Sequence, residues 1–309
     1  MRLITYSSGP NASPRIGVRV GHRVLDIDLA SRVDGEPLPA NMKALLREGR
    51  GALSRVQALA RAAQLNAGRF ASALVEERAI RFLPPVPDAD HLLGVMRNYP
   101  ARVDEQSSDP RPSIAGEPTT FVKLNLPFGG HNARVARPGG VVRLDCQPEL
   151  VFVIGKAASN VSTDDAQEYV VGVTLLGRLT NGDLPQAEPG DSPHALAIDT
   201  LGFGLLGPEI VTMDEIIDPY DLWLTCAVNG EERMRVNTRE QIWQLADILA
   251  HFSRSVAIEP GDLLSTGTPG YASLDTPRAK KVFLSPGDVV DCAIEGLTSL
   301  RATIVAPED

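Results

Sequence analysis

No stretch of this chain reaches the ~20 consecutive apolar residues that a membrane-spanning helix needs, and the opening MRLITYSS carries no basic segment followed by a long apolar run. No membrane association is expected, and the cytoplasm is the expected compartment. Positive charge is also in short supply. Thirty lysines and arginines stand against 39 acidic residues, a formal net charge of -9, with the two signs interspersed rather than gathered into the basic stripe that a phosphate backbone attracts. Nucleic acid is not an expected partner. Cysteine is scarcer still. Cys146, Cys226 and Cys292 are odd in number, far apart and set in apolar or strand-like segments, which argues against a disulfide framework or a zinc knuckle. All three are expected to be reduced and buried. There is no G-x-S-x-G nucleophile elbow and no P-loop. The string Gly202-Phe203-Gly204-Leu205-Leu206-Gly207 fits G-x-G-x-x-G, but Pro208 and the β-like EIVTM follow it, so no helix N-terminus is available for a pyrophosphate.

What is there is enough to fold. At 309 residues and 43% apolar content, the chain has room for one large domain and a smaller one. Residues 1–81 read as a small α+β unit: a strand at Arg2–Tyr6, a hairpin over Arg15–Asp28 turning at Gly21-His22, and helices over Pro39–Glu48, closed by Gly49, and Leu53–Ala67. The segment FLPPVPDAD at 82–90 holds three prolines and is expected as an inter-domain linker. Residues 91–309 read mainly as strands, with PELVFVIGK at 148–156 and VVGVTLLGRLT at 170–180 the most β-like. Asn229-Gly230 marks a tight hairpin, and the turns Glu259-Pro-Gly-Asp262 and Ser285-Pro-Gly-Asp288 each launch an apolar strand. One helix is expected, capped by Thr238 with Gln241 and buried along Ile242, Leu245, Leu249 and Phe252.

Several blocks, in order, resemble the fumarylacetoacetate hydrolase family: Asn98-Tyr99, Phe121-Val-Lys123, DCQPELVFVIGK at 145–156, VSTDDAQEYVVGVT at 161–174, LGPEIVT at 206–212, the VNGEERMRVNT hairpin, IEPGDLLSTGTP at 258–269 and SPGDVVDCAIEGLTSLR at 285–301. The resemblance implies a mainly β (α+β) fold, a rolled β-sheet catalytic domain behind a small N-terminal domain, assembled as a homodimer. It also implies a metal site. The family pattern has a Glu-x-Glu strand and an aspartate some thirty residues on, three carboxylates that hold magnesium or manganese against an enolisable substrate, and a histidine that activates water.

The matching positions here read differently. Glu-x-Glu becomes Gln147-Pro148-Glu149, and the aspartate falls on Arg178, so the formal charge of the three positions is 0 - 1 + 1 = 0 instead of -3. By the same resemblance the histidine aligns with Arg102, an arginine with Gly182, a glutamine with Pro185 or Gln186, and a lysine with Leu196. Lys123, Asp145, Glu149, Asp183 and the Thr266-Gly267-Thr268-Pro269 turn match.

The candidate catalytic residues are therefore Glu149, Lys123, Arg178, Arg102 and His131, with Tyr99, Asp183, Thr266 and Thr268 as substrate-binding candidates and no metal expected. Arg102 cannot serve as a base, since its pKa stays above ~12. His131, in the glycine-rich FGGHN, and His194 are the titratable candidates; each has the plainer reading of an ordinary loop histidine. Glu149 with Arg178 is either a guanidinium in the place of a metal or an internal ion pair that neutralises a buried carboxylate. The leading expectation is a metal-independent enzyme acting on an enolisable 2-oxo or β-dicarbonyl small molecule, by C–C cleavage, decarboxylation, dehydration, isomerisation or cyclisation. The alternative is an inactive member serving as a binding or dimerisation module. A third reading keeps magnesium or manganese through Glu149, Asp145 or Asp183 with substitute ligands.

Overall fold

A computed structural model describes residues 1–96, 98–99, 116–123, 128–183, 204–268 and 283–307. Among these, strands dominate and gather into two sheets. The larger has eleven strands: β1 (Arg2–Ser7), β2 (Arg15–Val20), β3 (Arg23–Asp26), β4 (Leu74–Glu76), β5 (Arg81–Leu83), β6 (Leu92–Met96), β7 (Thr119–Lys123), β9 (Leu144–Ile154), β10 (Val170–Asn181), β11 (Gly204–Thr212) and β14 (Leu263–Ser265). Its order is β4-β3-β2-β1-β11-β10-β9-β14-β6-β7, with β5 alongside β1. The smaller sheet, in the order β13-β12-β15-β16-β8, holds β8 (Ala133–Ala136), β12 (Trp223–Val228), β13 (Glu231–Asn237), β15 (Val289–Ile294) and β16 (Thr298–Val305).

The strong turn signals fold as expected. Gly21 has φ 63° between β2 and β3, and Asn229 and Gly230 have φ 53° and 80° between β12 and β13, the left-handed pair that a type I′ hairpin requires. The two Pro-Gly-Asp turns share one design. Asp262 accepts from the Glu259 amide (2.9 Å) and Asp288 from the Ser285 amide (2.7 Å), each fixing the direction of the strand that follows.

Helices depart from expectation at their ends. Residues read as the end of a hairpin instead start α1 (Ile27–Asp34), because Asp26 closes β3 and also caps the helix, its carboxylate accepting the Leu29 amide. Helix α2 covers Met42–Arg47 and α3 covers Arg50–Leu65, so α3 starts three residues earlier than its apolar stripe suggested. Of the expected stripe Leu245, Leu249 and Phe252 are buried, whereas Ile242 is partly exposed and lies before α4, which covers only Leu245–Ser253. The expected cap at Thr238 is a single 3-10 turn over Thr238–Glu240. There the Thr238 hydroxyl is engaged elsewhere, donating to Pro219 O and accepting from the Leu222 amide.

Residues 82–90, expected as a linker, are packed: β5 pairs with β1, the Thr5 hydroxyl donates to Pro85 O and Val86 is buried. β1 also pairs with β11, so the N-terminal strands extend the sheet that carries the later ones. One core lies between the two sheets. A second lies under α1–α3 and joins Leu45, Leu46 and Val56 to Val151, Val153 and Leu263.

Candidate active site

Strand alternation splits β9 into two faces. Leu144, Cys146, Leu150, Phe152 and Ile154 pack between the sheets, whereas Val151 and Val153 belong to the core under the helices, and the polar series Asp145, Gln147 and Glu149 shares their side. All three polar residues are fully buried. β10 runs antiparallel to β9 with Arg178 opposite Gln147 and Leu176 opposite Glu149. This register puts Glu149 on the diagonal from Arg178, within reach of a long side chain. The guanidinium takes both neighbours: Nε lies 2.6 Å from Glu149 Oε1 as an ion pair, and Nη2 donates to Gln147 Oε1. Phe121 of β7 covers the guanidinium at 5.9 Å from the ring centre, a cation–π contact.

The rest of the constellation comes from the turn after β14. Ser265 donates its hydroxyl to Glu149 Oε2 and accepts from the Gly267 amide. Gly267 has φ 79°, and a Cβ there would lie 2.3 Å from Val95 O, so the tight turn requires glycine. Asn98 clamps it: Nδ2 donates to Thr266 O and Trp243 O, and Oδ1 accepts from the Trp243 amide. Tyr99 is buried with its hydroxyl accepting from Gln241 Nε2 (3.0 Å). Burial, with the Glu149 charge adding to it, pushes this phenol up to about 12. It stays protonated at neutral pH.

A family model described as fumarylacetoacetate (FAA) hydrolase C-terminal matches residues 91–305, the segment that contains every part of this constellation. The chain belongs to the fumarylacetoacetate hydrolase family. It is 30% identical over 308 residues to the mitochondrial oxaloacetate tautomerase fahd2 of Xenopus laevis, covering 99% of this chain and 90% of the relative. To the mitochondrial oxaloacetate tautomerase FAHD2A of Homo sapiens it is 32% identical over 298 residues, 96% of this chain and 89% of the relative. The maleylpyruvate hydrolase of Sphingobium sp. SYK-6, solved in complex with manganese(II) and pyruvate, covers the whole chain with a TM-score of 0.73 at 23% identity, a likeness of fold.

The metal site that this family implies does not fit the residues present. A hard divalent cation needs anionic oxygens, and here the Glu149 carboxylate faces a guanidinium on one oxygen and a hydroxyl donor on the other. Gln147 Oε1, the remaining oxygen donor of the three positions, already accepts from the same guanidinium. A cation entering at this point would meet a fixed positive charge.

Other candidates fall at varying distances from this centre. Lys123, two residues beyond Phe121 on the same face of β7, is buried, with its ammonium 5.3 Å from the Phe128 ring centre. Thr266 is buried with its hydroxyl donating to Leu150 O, which makes it a support of the turn; Thr268 is partly exposed. Asp183 is exposed just past the end of β10, where it accepts from the Val142 and Arg143 amides. Those hydrogen bonds hold its carboxyl below the ordinary range. His131 does not join the constellation. Its Nδ1 accepts from the Arg301 amide, and its ring packs edge-on against Phe82, in a cleft with Arg2, Arg19 and Glu209. Burial first, then the nearby Arg301 and Arg19, depress its pKa. Arg102, His194, Leu196, Pro185, Gln186 and Pro269 lie outside the described residues.

Ser265 and Gln241, which hydrogen-bond Glu149 and Tyr99, were not among the residues singled out from the sequence as site candidates. Ser265 sits inside the recognised STGTP block, and the signal available was its position one residue before a glycine-bearing turn.

Proposed function

We propose that this protein catalyses an enol-forming step on a small 2-oxo or β-dicarbonyl acid without a divalent cation, with Arg178 supplying the positive charge at the reacting oxygen. The observation that carries the proposal is a pair of donors on one buried face. The guanidinium is 12% exposed and spends only part of its five N–H groups on Glu149 and Gln147. Beside it, Gln147 Nε2 is buried with no hydrogen-bond partner among the described residues, an arrangement that costs about 1–3 kcal/mol until an acceptor arrives. A carboxylate or enolate oxygen supplies that acceptor.

Enolisation removes a proton from the carbon next to a carbonyl and leaves negative charge on the oxygen. A donor pair preorganised for that oxygen stabilises the charged state more than the neutral ketone. Glu149 holds the guanidinium in place through its ion pair, and Ser265 holds Glu149. Lys123, a buried amine on the strand that also brings Phe121, is assigned the proton transfer. Tyr99, kept protonated, is assigned as a further donor. Relatives named oxaloacetate tautomerase support keto–enol interconversion of a dicarboxylic oxo acid as the reaction.

The test follows the ultraviolet absorbance of the enol of oxaloacetate with protein treated with a chelator. Acceleration should persist without metal, fall by roughly 10²–10³ in Arg178→Met, as expected for loss of one preorganised charged donor, and be partly kept in Arg178→Lys. The Glu149 carboxylate is engaged inside the protein, by the Arg178 guanidinium as an ion pair and by the Ser265 hydroxyl as a hydrogen bond, which favours the alternative of a retained fold used as a binding module. No acceleration over buffer with several oxo acids would select that alternative, and activity only with added magnesium or manganese would overturn the metal-independent proposal.

A further inference from the structure

The three cysteines, far apart in sequence, meet in the core between the sheets. Cys146 projects from β9 on the face opposite Gln147, and Cys226 of β12 stands directly across from Cys292 of β15. All three are free and buried. Cys146 Sγ lies 3.5 Å from Cys292 Sγ, Cys292 Sγ lies 4.0 Å from Cys226 Sγ, and the three sulfurs fit within 4.8 Å of one another.

We propose that Cys146, Cys226 and Cys292 form a three-sulfur site for a soft monovalent cation of the copper(I) class. The spacing supports this directly. With metal–sulfur bonds of ~2.3 Å, three ligands around one ion in a plane stand ~4.0 Å apart, the bond length times the square root of three. The sulfurs already lie near that separation, so small side-chain rotations close the site without moving a strand. Among the described residues no histidine or carboxylate completes the group. A structural zinc ion requires four ligands, whereas copper(I) accepts three and prefers thiolate and thioether sulfur. Met234, a thioether, is the register partner of Cys226 on β13 and is buried.

Binding releases a proton for each thiol that ionises and leaves net negative charge in the core. Arg233, next to Met234, offers an offset: its Nε and Nη1 are buried with no hydrogen-bond partner among the described residues, although Nη2 reaches Glu231. The sulfurs have no solvent exposure, so the ion enters while the two sheets assemble or when they open. The sequence hides the site because its ligands come from three strands of two sheets, with none of the local spacing of a zinc knuckle.

The experiment refolds the full chain anaerobically with copper(I) carried by a coloured chelator, then measures retained copper and its X-ray absorption. One copper per chain with sulfur neighbours alone at ~2.3 Å is the expected result. The Cys146→Ala, Cys226→Ala and Cys292→Ala variants should each lose it. The absorption measurement on the unaltered protein does not depend on those variants folding. Copper held by nitrogen or oxygen, copper retained when all three cysteines are alanine, or a folded chain that leaves the chelator fully loaded would each overturn the proposal.

Discussion

Replacing Arg178 with alanine tests the central ion pair. Glu149 has no solvent exposure and Arg178 only 12%, so the substitution strands a carboxylate that keeps one hydrogen bond, from Ser265. A buried carboxyl without a counter-charge relaxes by taking up a proton. For a carboxyl with an ordinary pKa of ~4.3, protonation at pH 7 costs about 3.7 kcal/mol, at 1.36 kcal/mol per pH unit. That lies inside the ~3–5 kcal/mol known for breaking a buried pair. Water reaching the vacated space lowers it, so about 3 kcal/mol is expected. The sign of the pH dependence follows. In the variant the folded carboxyl binds its proton more tightly than the unfolded one, so the cost grows above the unfolded value and fades as pH falls toward it. At pH 5 the same arithmetic leaves about 1 kcal/mol. Urea unfolding of both proteins at pH 5, 6 and 7 measures this. Glu149→Gln combined with Arg178→Ala should remove the pH dependence, since no charge is left behind. A cost below about 1 kcal/mol at pH 7, or one equal at pH 5 and pH 7, would refute the reasoning.

Further outcomes follow from other contacts. Gln147→Glu with Arg178→Asp returns the three positions to a formal charge of -3, and titration calorimetry should then detect magnesium or manganese binding stronger than that of the unaltered protein; no binding by the folded double variant would show that Arg178 does not stand at the metal position. For Asp26, burial pushes the carboxyl up, but hydrogen bonds from Arg15, the Leu29 amide and Tyr6 pull it below its ordinary range. Its stabilisation is therefore present above ~3.9 and lost as pH falls through the lower folded value. Asp26→Asn should cost about 2 kcal/mol at neutral pH and flatten the acid limb of the stability curve, and equal acid limbs would count against the assignment.

The presence of Gln147 and Arg178 at positions that the resemblance aligns with carboxylates is read from the sequence alone, wherever the side chains point. So is the shared face of Gln147 and Glu149, since the pleat of a strand fixes it. The hairpin turns were legible too: Gly21 and Asn229-Gly230 adopt backbone angles that few other residues tolerate. Helix ends were not, because Thr238 had a capping pattern that a tertiary hydrogen bond to Pro219 O diverted, and Asp26 serves a strand and a helix at once. Only the register of β10 on β9 made Arg178 the neighbour of both Gln147 and Glu149; a two-residue slip that set Arg178 opposite Asp145 preserves every local pattern and takes Glu149 out of its reach. His131 and the three cysteines carry the same lesson in opposite directions. Long-range strand pairing took the histidine away from the site and brought the sulfurs together, and sequence spacing holds no record of contacts made across 100 residues or more.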